Sequence, residues 1–210
     1  MAAHRTPEEL KPLIMQATRH LVAVGGMENF SYPKLTAETG LSAPTVYEHY
    51  KNKEELLTSC FMEIDGEVAG MMAQMLLGMP SRIQDLQGFD NVCWLLWLPY
   101  WNYLMADAER TSFYWTFYNS PYHTPELLAQ RNECFQPFLD FMQAVDDEFS
   151  VSSCCNPHML VANLIDGTVA AAVKVLHGEY PNDERSVVTV YHMVFQPLFA
   201  LLGIHSSCLG

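Results

Sequence analysis

The chain has 210 residues, of which 24 are acidic and 11 are Lys or Arg, so its formal charge is −13. Half of the residues are hydrophobic and only 17% are charged, against roughly 25% in an average soluble domain. This composition excludes an intrinsically disordered chain, which needs low hydrophobicity and high charge density. Taken alone, the charge also argues against a general nucleic-acid binder, because neutralising phosphates requires a basic surface.

The N-terminal sequence lacks the apolar core of a secretory signal, and no apolar run reaches the roughly 18 residues of a membrane span. We therefore expect a cytoplasmic protein without a membrane partner. The spacings of the six cysteines fit no zinc pattern, so free thiols are expected and neither a metal nor another cofactor is predicted. Cys154, Cys155 and His158 come nearest to a metal or redox motif but lack the further ligands that would complete it.

Helical periodicity runs through nearly the whole chain, and strand-type alternation is missing. The first helix is predicted over 6–24, where Thr6 and Glu9 form a capping box. Pro12 leaves open a later start near Lys11, because proline is tolerated best in the first turn of a helix.

Two short helices are predicted next, over 32–39 and 43–50. Ser31 and Ser42 are their expected caps, and Gly40 ends the first helix in a tight turn. Two short helices joined by a turn of three or four residues that contains glycine form the outline of a helix-turn-helix.

The rest of the chain is also predicted to be helical, which makes eight or nine helices in all. Pro99 is expected to kink one of these helices and Pro137 to bend another, while Asn52, Thr124 and either Asn182 or Asp183 are expected caps. The remaining helices are predicted over 53–75, 90–105, 107–118, 124–149, 157–176 and 183–202.

The stretch from Phe30 to Leu57 reads FSYPKLTAETGLSAPTVYEHYKNKEELL. A capped short helix, a Gly-Leu-Ser turn, a Thr-hydrophobic-Tyr element and a Lys-x-Lys-Glu-x-Leu element follow one another. From about Leu10 to Phe61 the chain resembles the DNA-binding signature of the tetracycline-repressor (TetR) family of transcriptional regulators.

The resemblance implies an all-α fold of about nine helices in two domains. A three-helix, helix-turn-helix DNA-binding domain is expected over 1–52, and an effector-binding and dimerisation domain over 53–210. Helix 53–75 is the expected connector. Leu35, Leu41 and Val46 are expected to pack the short helices onto the first helix, and Ala37 is small enough to let helices cross closely.

Carried over position by position, the resemblance implies DNA contacts from the short helices and from the start of the next helix. Hydroxyl groups would reach phosphates or bases, small apolar side chains would touch thymine methyl groups, and a lysine would bind phosphate. The predicted DNA-binding residues are Tyr32, Pro33, Ala43, Pro44, Thr45, Tyr47, His49 and Lys53. The alternatives are that Tyr47 fills the core, His49 is merely solvated and Lys53 is an ordinary surface charge.

The helix-turn-helix region departs from the family in its charge. The first 65 residues hold six Lys or Arg and nine acids, a net charge of −3, and about −10 falls on residues 66–210. The second short helix has no arginine, so it offers no bidentate contact to guanine. We therefore expect weak non-specific binding, a shallow salt dependence and some readout of DNA shape.

All four tryptophans lie between Phe89 and Tyr122, in a segment rich in other aromatic residues. Since ligand pockets are mostly apolar, this segment is expected to line an effector site. Asp107, Glu109 and Asp140 would also allow a lipophilic cation. Ordinary core packing is the alternative for each of these side chains. The predicted effector-binding residues are Trp94, Trp97, Trp101, Phe113, Trp115, Phe117, Tyr118, Phe138 and Met142.

A single helix-turn-helix usually reads half of a two-fold DNA site, so a homodimer is expected. The last two helices carry broad apolar faces and are the expected interface, in which four helices would form a bundle; the alternative is that both are core helices of a monomer. The predicted interface residues are Val161, Ile165, Val169, Val173, Val187, Tyr191, Val194 and Leu198.

The sequence thus predicts a ligand-responsive regulator, acting as a repressor, with three partners: a double-stranded palindromic DNA operator, a second copy of the chain and a small hydrophobic or aromatic effector. Effector binding would shift helix 53–75 and release DNA. No enzyme is expected, since no HExxH, di-iron, GxSxG or P-loop motif occurs. The alternative function is a small-molecule-binding helical protein with weak or lost DNA binding.

Overall fold

A computed structural model describes residues 7–77, 86–149 and 157–201. Within these ranges the chain forms ten α-helices and no strand, which confirms the all-α prediction with one helix more than expected. The helices are α1 (Pro7–Gly25), α2 (Tyr32–Thr39), α3 (Ala43–His49), α4 (Lys53–Leu77), α5 (Leu86–Ala106), α6 (Ala108–Tyr118), α7 (Pro125–Cys134), α8 (Gln136–Phe149), α9 (Pro157–Leu176) and α10 (Glu184–Leu201).

Four of the predicted caps are made by side chains that accept a backbone N–H three residues further on, at 2.7–3.3 Å. These caps are Ser42, Asn52, Thr124 and Asp183. Each satisfies one of the amide donors left unpaired in the first turn of a helix. Ser31 precedes α2 in extended conformation, but its side chain makes no cap hydrogen bond. The capping box predicted at Thr6 lies outside the described residues.

One prediction about a helix that contains proline is wrong. The helix predicted over 124–149 is two helices, which divide at Phe135. Pro137 has no N–H, so it suits the first turn of α8 better than the middle of one long helix. Pro12, in contrast, lies inside α1 and does not delay its start, and α5 continues through Pro99.

The described residues fall into two compact units. Unit 1 contains Met1–Gly66 and Glu109–Arg131, and therefore α1 to α3, the first half of α4, α6 and most of α7. Unit 2 contains Glu67–Ala108 and Asn132–Gly210. The division falls inside α4, whereas the domain boundary expected between residues 52 and 53 remains a prediction.

Unit 1 has an apolar core in which Ile14, Leu35 and Val46 are completely buried. They join α1, α2 and α3, as the sequence pattern predicts. Ala37 is exposed instead, so the prediction that it permits a close helix crossing is wrong.

Unit 2 is built around an aromatic cluster on α5 and α10. Tyr191 is 1% exposed, and its ring centroid lies 4.9 Å from that of Trp94, 5.3 Å from that of Trp97 and 4.7 Å from that of Phe195. The Tyr191 hydroxyl donates to Asp90 Oδ1 at 2.6 Å, which satisfies the polar end of a buried ring.

Among the described residues, no helix combines the length and hydropathy needed to cross a membrane. In the same ranges, no group of three or more His, Cys, Asp or Glu side chains is arranged to hold a metal ion. Cys60 and Cys93 are buried free thiols and Cys134 is an exposed one, while Cys154, Cys155 and Cys208 lie outside the described residues.

Candidate functional site

The turn between α2 and α3 is fixed by its backbone. Gly40 has φ +69°, in the left-handed region, and its N–H donates to Thr36 O at 2.9 Å. Ser42 then caps α3, with Oγ accepting the Thr45 N–H at 3.3 Å. Because glycine adopts a left-handed conformation without a Cβ clash, the chain can end α2 and start α3 within three residues.

Helix α3 has one buried and one exposed face. Val46 is completely buried, and it anchors α3 within unit 1. Pro44 and Tyr47, three residues apart, share the exposed side of the helix, where Tyr47 is 52% exposed, and Ala43 is exposed at the first residue of the helix. The exposed face therefore combines two small apolar side chains with a phenol, the groups predicted to meet thymine methyls and phosphates.

Tyr32 lies behind this face rather than on it. It is buried, its hydroxyl donates to Tyr50 O at 3.1 Å, and its ring packs edge-on against Tyr47 at 4.8 Å between centroids. Burial, the largest cause, raises the pKa of Tyr32 to about 12. Tyr32 is thus placed to position Tyr47, while its neighbour Pro33 is exposed.

Lys53, predicted to bind phosphate, has local partners at the start of α4. Its ammonium group donates to Met27 O at 2.8 Å and to Phe30 O at 3.2 Å. It also lies 5.9 Å from the centroid of the Tyr122 ring. An ammonium group has three donors, so these two bonds leave one for another acceptor.

The exposed surface of α3 is not basic. Thr45 and His49 are partly buried, and Glu48 is exposed beside Tyr47. The Thr45 Oγ1 lies 2.8 Å from Ser42 Oγ. The sequence of α3 holds neither Lys nor Arg, so its side-chain hydrogen-bond donors are hydroxyl and imidazole groups.

Unit 1 also contains a buried polar network that sequence reasoning missed. Tyr114 donates its hydroxyl hydrogen to Asp65 Oδ1 at 2.7 Å and accepts from Arg131 Nη2 at 2.8 Å. Burial raises the pKa of Asp65, although the nearby Arg131 and the Tyr114 hydroxyl oppose that rise. The segment from Phe61 to Met72 holds three acids, Glu63, Asp65 and Glu67, so the sequence does not single out Asp65 as the buried one.

Unit 2 contains an apolar cavity of about 50 Å³. Of the predicted effector residues, Trp97, Phe138 and Met142 line it, and Trp101 stacks on Trp97 at 5.4 Å. The lining residues are Met72, Phe89, Cys93, Leu96, Trp97, Tyr100, Phe138, Phe141, Met142, Leu164, Ile165, Thr168, Phe195 and Leu198. Most of these are core-type residues in helical periodicity, so the sequence offered no signal that separates them from ordinary packing.

The other predicted effector residues are elsewhere. Trp94 packs beside Trp97 at 5.7 Å without lining the cavity. Four belong to α6 in unit 1, where Phe117 stacks on Phe61 at 4.5 Å: Phe113, Trp115, Phe117 and Tyr118. None of Asp107, Glu109 and Asp140 lines the cavity, so the carboxylates expected to attract a cation are not at its wall.

The predicted dimer residues lie on α9 and α10, which pack on each other. Ile165 and Val187 are partly exposed, and the side chain of Val161 is outside the described part. Five are buried within the chain itself: Val169, Val173, Tyr191, Val194 and Leu198. Helical periodicity identified an apolar face but not the helix that covers it.

The fold and the exposed face of α3 define an all-helical protein with an N-terminal helix-turn-helix. Residues 14–60 match the sequence profile described as bacterial regulatory proteins, tetR family. No curated protein matches the sequence. This profile confirms the family resemblance over residues 14–60, and solved structures share the fold.

A TetR family transcription regulator from Marinobacter aquaeolei VT8 is similar to this chain with a TM-score of 0.71 and 21% identity, over 89% of this chain and 93% of that one. A putative regulator of the same family from Shewanella sp. PV-4 has a TM-score of 0.69 and 19% identity, over 92% of this chain and 98% of that one. The transcriptional regulator FadR from Bacillus subtilis, solved in complex with stearoyl-CoA, has a TM-score of 0.65 and 17% identity, over 92% of this chain and 99% of that one. These likenesses establish the TetR-type fold.

Proposed function

We propose that the protein is a ligand-responsive transcriptional repressor. A homodimer binds a palindromic DNA operator and leaves it when a small hydrophobic effector binds. The observation that carries this proposal is the arrangement of α3, in which Val46 is completely buried while Ala43, Pro44 and Tyr47 are exposed. A recognition helix in a major groove needs such an outward face held by a buried one.

DNA recognition by this face depends on few groups. The Tyr47 hydroxyl contacts a phosphate or a base edge, and Ala43 and Pro44 contact thymine methyl groups. Lys53 supplies its remaining donor to a phosphate. Because α3 carries no cation and Glu48 is exposed on it, non-specific affinity is weak and sequence-dependent DNA shape contributes to selectivity.

The effector enters the cavity of unit 2. Met72 lines that cavity and belongs to α4, the helix that begins at Lys53 in unit 1. A ligand that displaces Met72 therefore acts on a helix shared by both units, and it releases DNA if it binds better to the displaced arrangement. The FadR structure with stearoyl-CoA provides a precedent for a ligand in this fold.

The dimer forms through α9 and α10. Since Tyr191, Val194 and Leu198 are already buried within one chain, the partner contacts the exposed sides of these helices. Met159 and Met193 are 72% and 63% exposed there, and they are large apolar side chains suited to an interface. We propose a cytoplasmic binding protein rather than an enzyme.

The decisive experiment selects DNA from a random-sequence duplex library at low salt with the purified protein, followed by sequencing. The proposal expects enrichment of a two-fold-symmetric site with half-sites about one helical turn apart. Thr45→Ala/Tyr47→Ala should abolish enrichment. The control, Asn102→Ala/Gln143→Ala, removes two exposed polar side chains of unit 2 outside α9 and α10 and should leave it intact.

The alternative, a small-molecule-binding helical protein with weak or lost DNA binding, draws support from the acidic helix-turn-helix region. It predicts that the folded protein enriches no sequence. Enrichment of a site without two-fold symmetry would instead contradict the homodimer.

A further inference from the structure

The described lining of the cavity in unit 2 contains no charged side chain. Six aromatic rings and two methionines supply most of it, and no polar atom of the described lining residues is exposed to the cavity. The Thr168 hydroxyl accepts from Trp97 Nε1 at 3.0 Å and donates to Leu164 O at 2.7 Å, so the polar groups of Trp97 and Thr168 are satisfied by each other and by the backbone, and Tyr100 contributes the remaining hydroxyl of the lining. Burial raises the pKa of the Cys93 thiol, which therefore stays neutral.

The net charge of unit 2 also disfavours an anionic ligand. Unit 2 contains three Lys or Arg and thirteen Asp or Glu in sequence, a formal charge of −10 with histidine counted as neutral. The three cations are Arg82, Lys174 and Arg185, and none of them lines the cavity. A net negative unit repels anionic ligands, and an apolar wall penalises burial of either sign of charge.

The cavity must also widen to accept a ligand. Its 50 Å³ is far below the roughly 300–1,000 Å³ typical of small-molecule sites. Met72 and Met142 have unbranched, flexible side chains that can move without a change in the backbone. Phe138 and Phe141 on α8 are partly exposed, so they can swing towards solvent. A slender chain needs only such side-chain movements, whereas a rigid polycyclic molecule needs the helices to separate.

We infer that the effector class of this site is an uncharged molecule with an unbranched hydrocarbon chain, whose chain displaces Met72 and Met142 and whose polar end stays at the mouth beside Phe138 and Phe141. This inference rests on the effector part of the proposed function. This ligand class differs from the lipophilic cation considered from the sequence and from an anionic amphiphile. The described lining contains no charged side chain that could pair with the charge of either.

The test is isothermal titration calorimetry of the full-length protein, without DNA, with ligands below their micelle concentrations. The straight-chain alcohols hexanol, octanol and decanol should bind about fourfold more tightly for each added methylene group. Decanoate and decyltrimethylammonium, which match decanol in chain length but are charged, should bind at least about tenfold more weakly than decanol.

Two variants of the lining change the cavity in opposite directions. Ile165→Phe fills it at the partly exposed wall and should weaken decanol binding at least about tenfold, while Met142→Ala enlarges it and should strengthen binding of the longer alcohols. Val188→Phe, a partly buried position of α10 outside the lining, is the control for folding and should bind like the parent protein.

Equal or tighter binding of either charged compound, or no binding of any alcohol to the parent protein, would overturn the inference. Alcohol binding that leaves the protein on its selected DNA would uphold the ligand class while contradicting effector-driven release. Failure of DNA selection with intact alcohol binding would contradict DNA recognition alone.

Discussion

Arg131 Nε lies 3.0 Å from Asp65 Oδ2, and both side chains are buried in unit 1. The pair joins α4 to α7 across 66 positions of sequence, and Tyr114 on α6 bonds to both members. A buried ion pair gains little over a well-packed apolar pair, but removal of one partner leaves an unpaired charge. The network therefore links the three helices, α4, α6 and α7, through buried polar side chains.

We expect Arg131→Met to lower the free energy of unfolding by about 3–5 kcal/mol, because Asp65 then stays buried without its cation. Urea unfolding at neutral pH measures this change. Asp65→Asn/Arg131→Met removes both charges and keeps an acceptor for Tyr114, so it should be more stable than Arg131→Met by about 0.5–3 kcal/mol.

Arg19 provides the matched control for this prediction. It pairs with Glu63 at 2.5 Å, but the two side chains are 19% and 37% exposed, so Arg19→Met should cost only about 0–1 kcal/mol. Equal losses for the two arginine variants would contradict a special role for the buried pair.

Two histidines of unit 1 should have pKa values on opposite sides of the usual value of about 6.5. Glu109 Oε1, 2.8 Å from His20 Nδ1, raises the pKa of His20, with a smaller contribution from Glu38. Burial, with a further effect of Arg131, lowers the pKa of His123. Titration of the imidazole C–H signals by NMR measures both, with His20→Gln and His123→Gln to assign them.

The consequences for stability have opposite signs. The His20–Glu109 pair stabilises the folded state below the unfolded pKa of histidine and loses that effect as pH rises through the higher folded value. His123 folds best when neutral, so its effect is present above the unfolded pKa and is lost as pH falls through the lower folded value. Glu109→Gln should bring the pKa of His20 down and leave that of His123 unchanged. A shift of both would contradict these local causes.

Gly40→Ala should destabilise the protein by about 1–2 kcal/mol, since φ +69° places any Cβ against the following carbonyl. Thermal unfolding provides the measurement. Gly70→Ala is the control: Gly70 lies inside α4 with no atom within 4 Å of an added Cβ, so alanine should stabilise there by about 0.5–1 kcal/mol. Similar effects at both positions would refute the conformational explanation.

Tyr47→Phe should weaken binding to the selected DNA by roughly two- to tenfold, the value of one hydrogen bond, while the ring still packs on Tyr32. Fluorescence anisotropy with labelled duplex measures the dissociation constant. Tyr180→Phe removes a hydroxyl from another exposed tyrosine in unit 2 and should have no effect. If Tyr47→Phe bound the selected DNA with unchanged affinity, the proposed contact between the Tyr47 hydroxyl and DNA would be contradicted.

The sequence by itself determined the features that depend on neighbours along the chain. The caps at Ser42 and Asn52, the turn at Gly40 and the inward face of Val46 follow from local backbone chemistry and helical spacing. These local rules produce the helix-turn-helix, and they sufficed to predict the TetR resemblance of residues 14–60 and the all-α fold.

Only the tertiary structure decided which helices cover one another. The aromatic segment read as one effector site is divided, with Phe117 against Phe61 in unit 1 and Trp97 at the cavity of unit 2. Asp65 pairs with Arg131, and the Lys53 ammonium group donates to the backbone carbonyls of Met27 and Phe30, more than twenty residues earlier in the chain. The physical reason is that helical periodicity marks an apolar face, whereas the partner of that face, and the partner of a buried charge, are set by packing between distant segments.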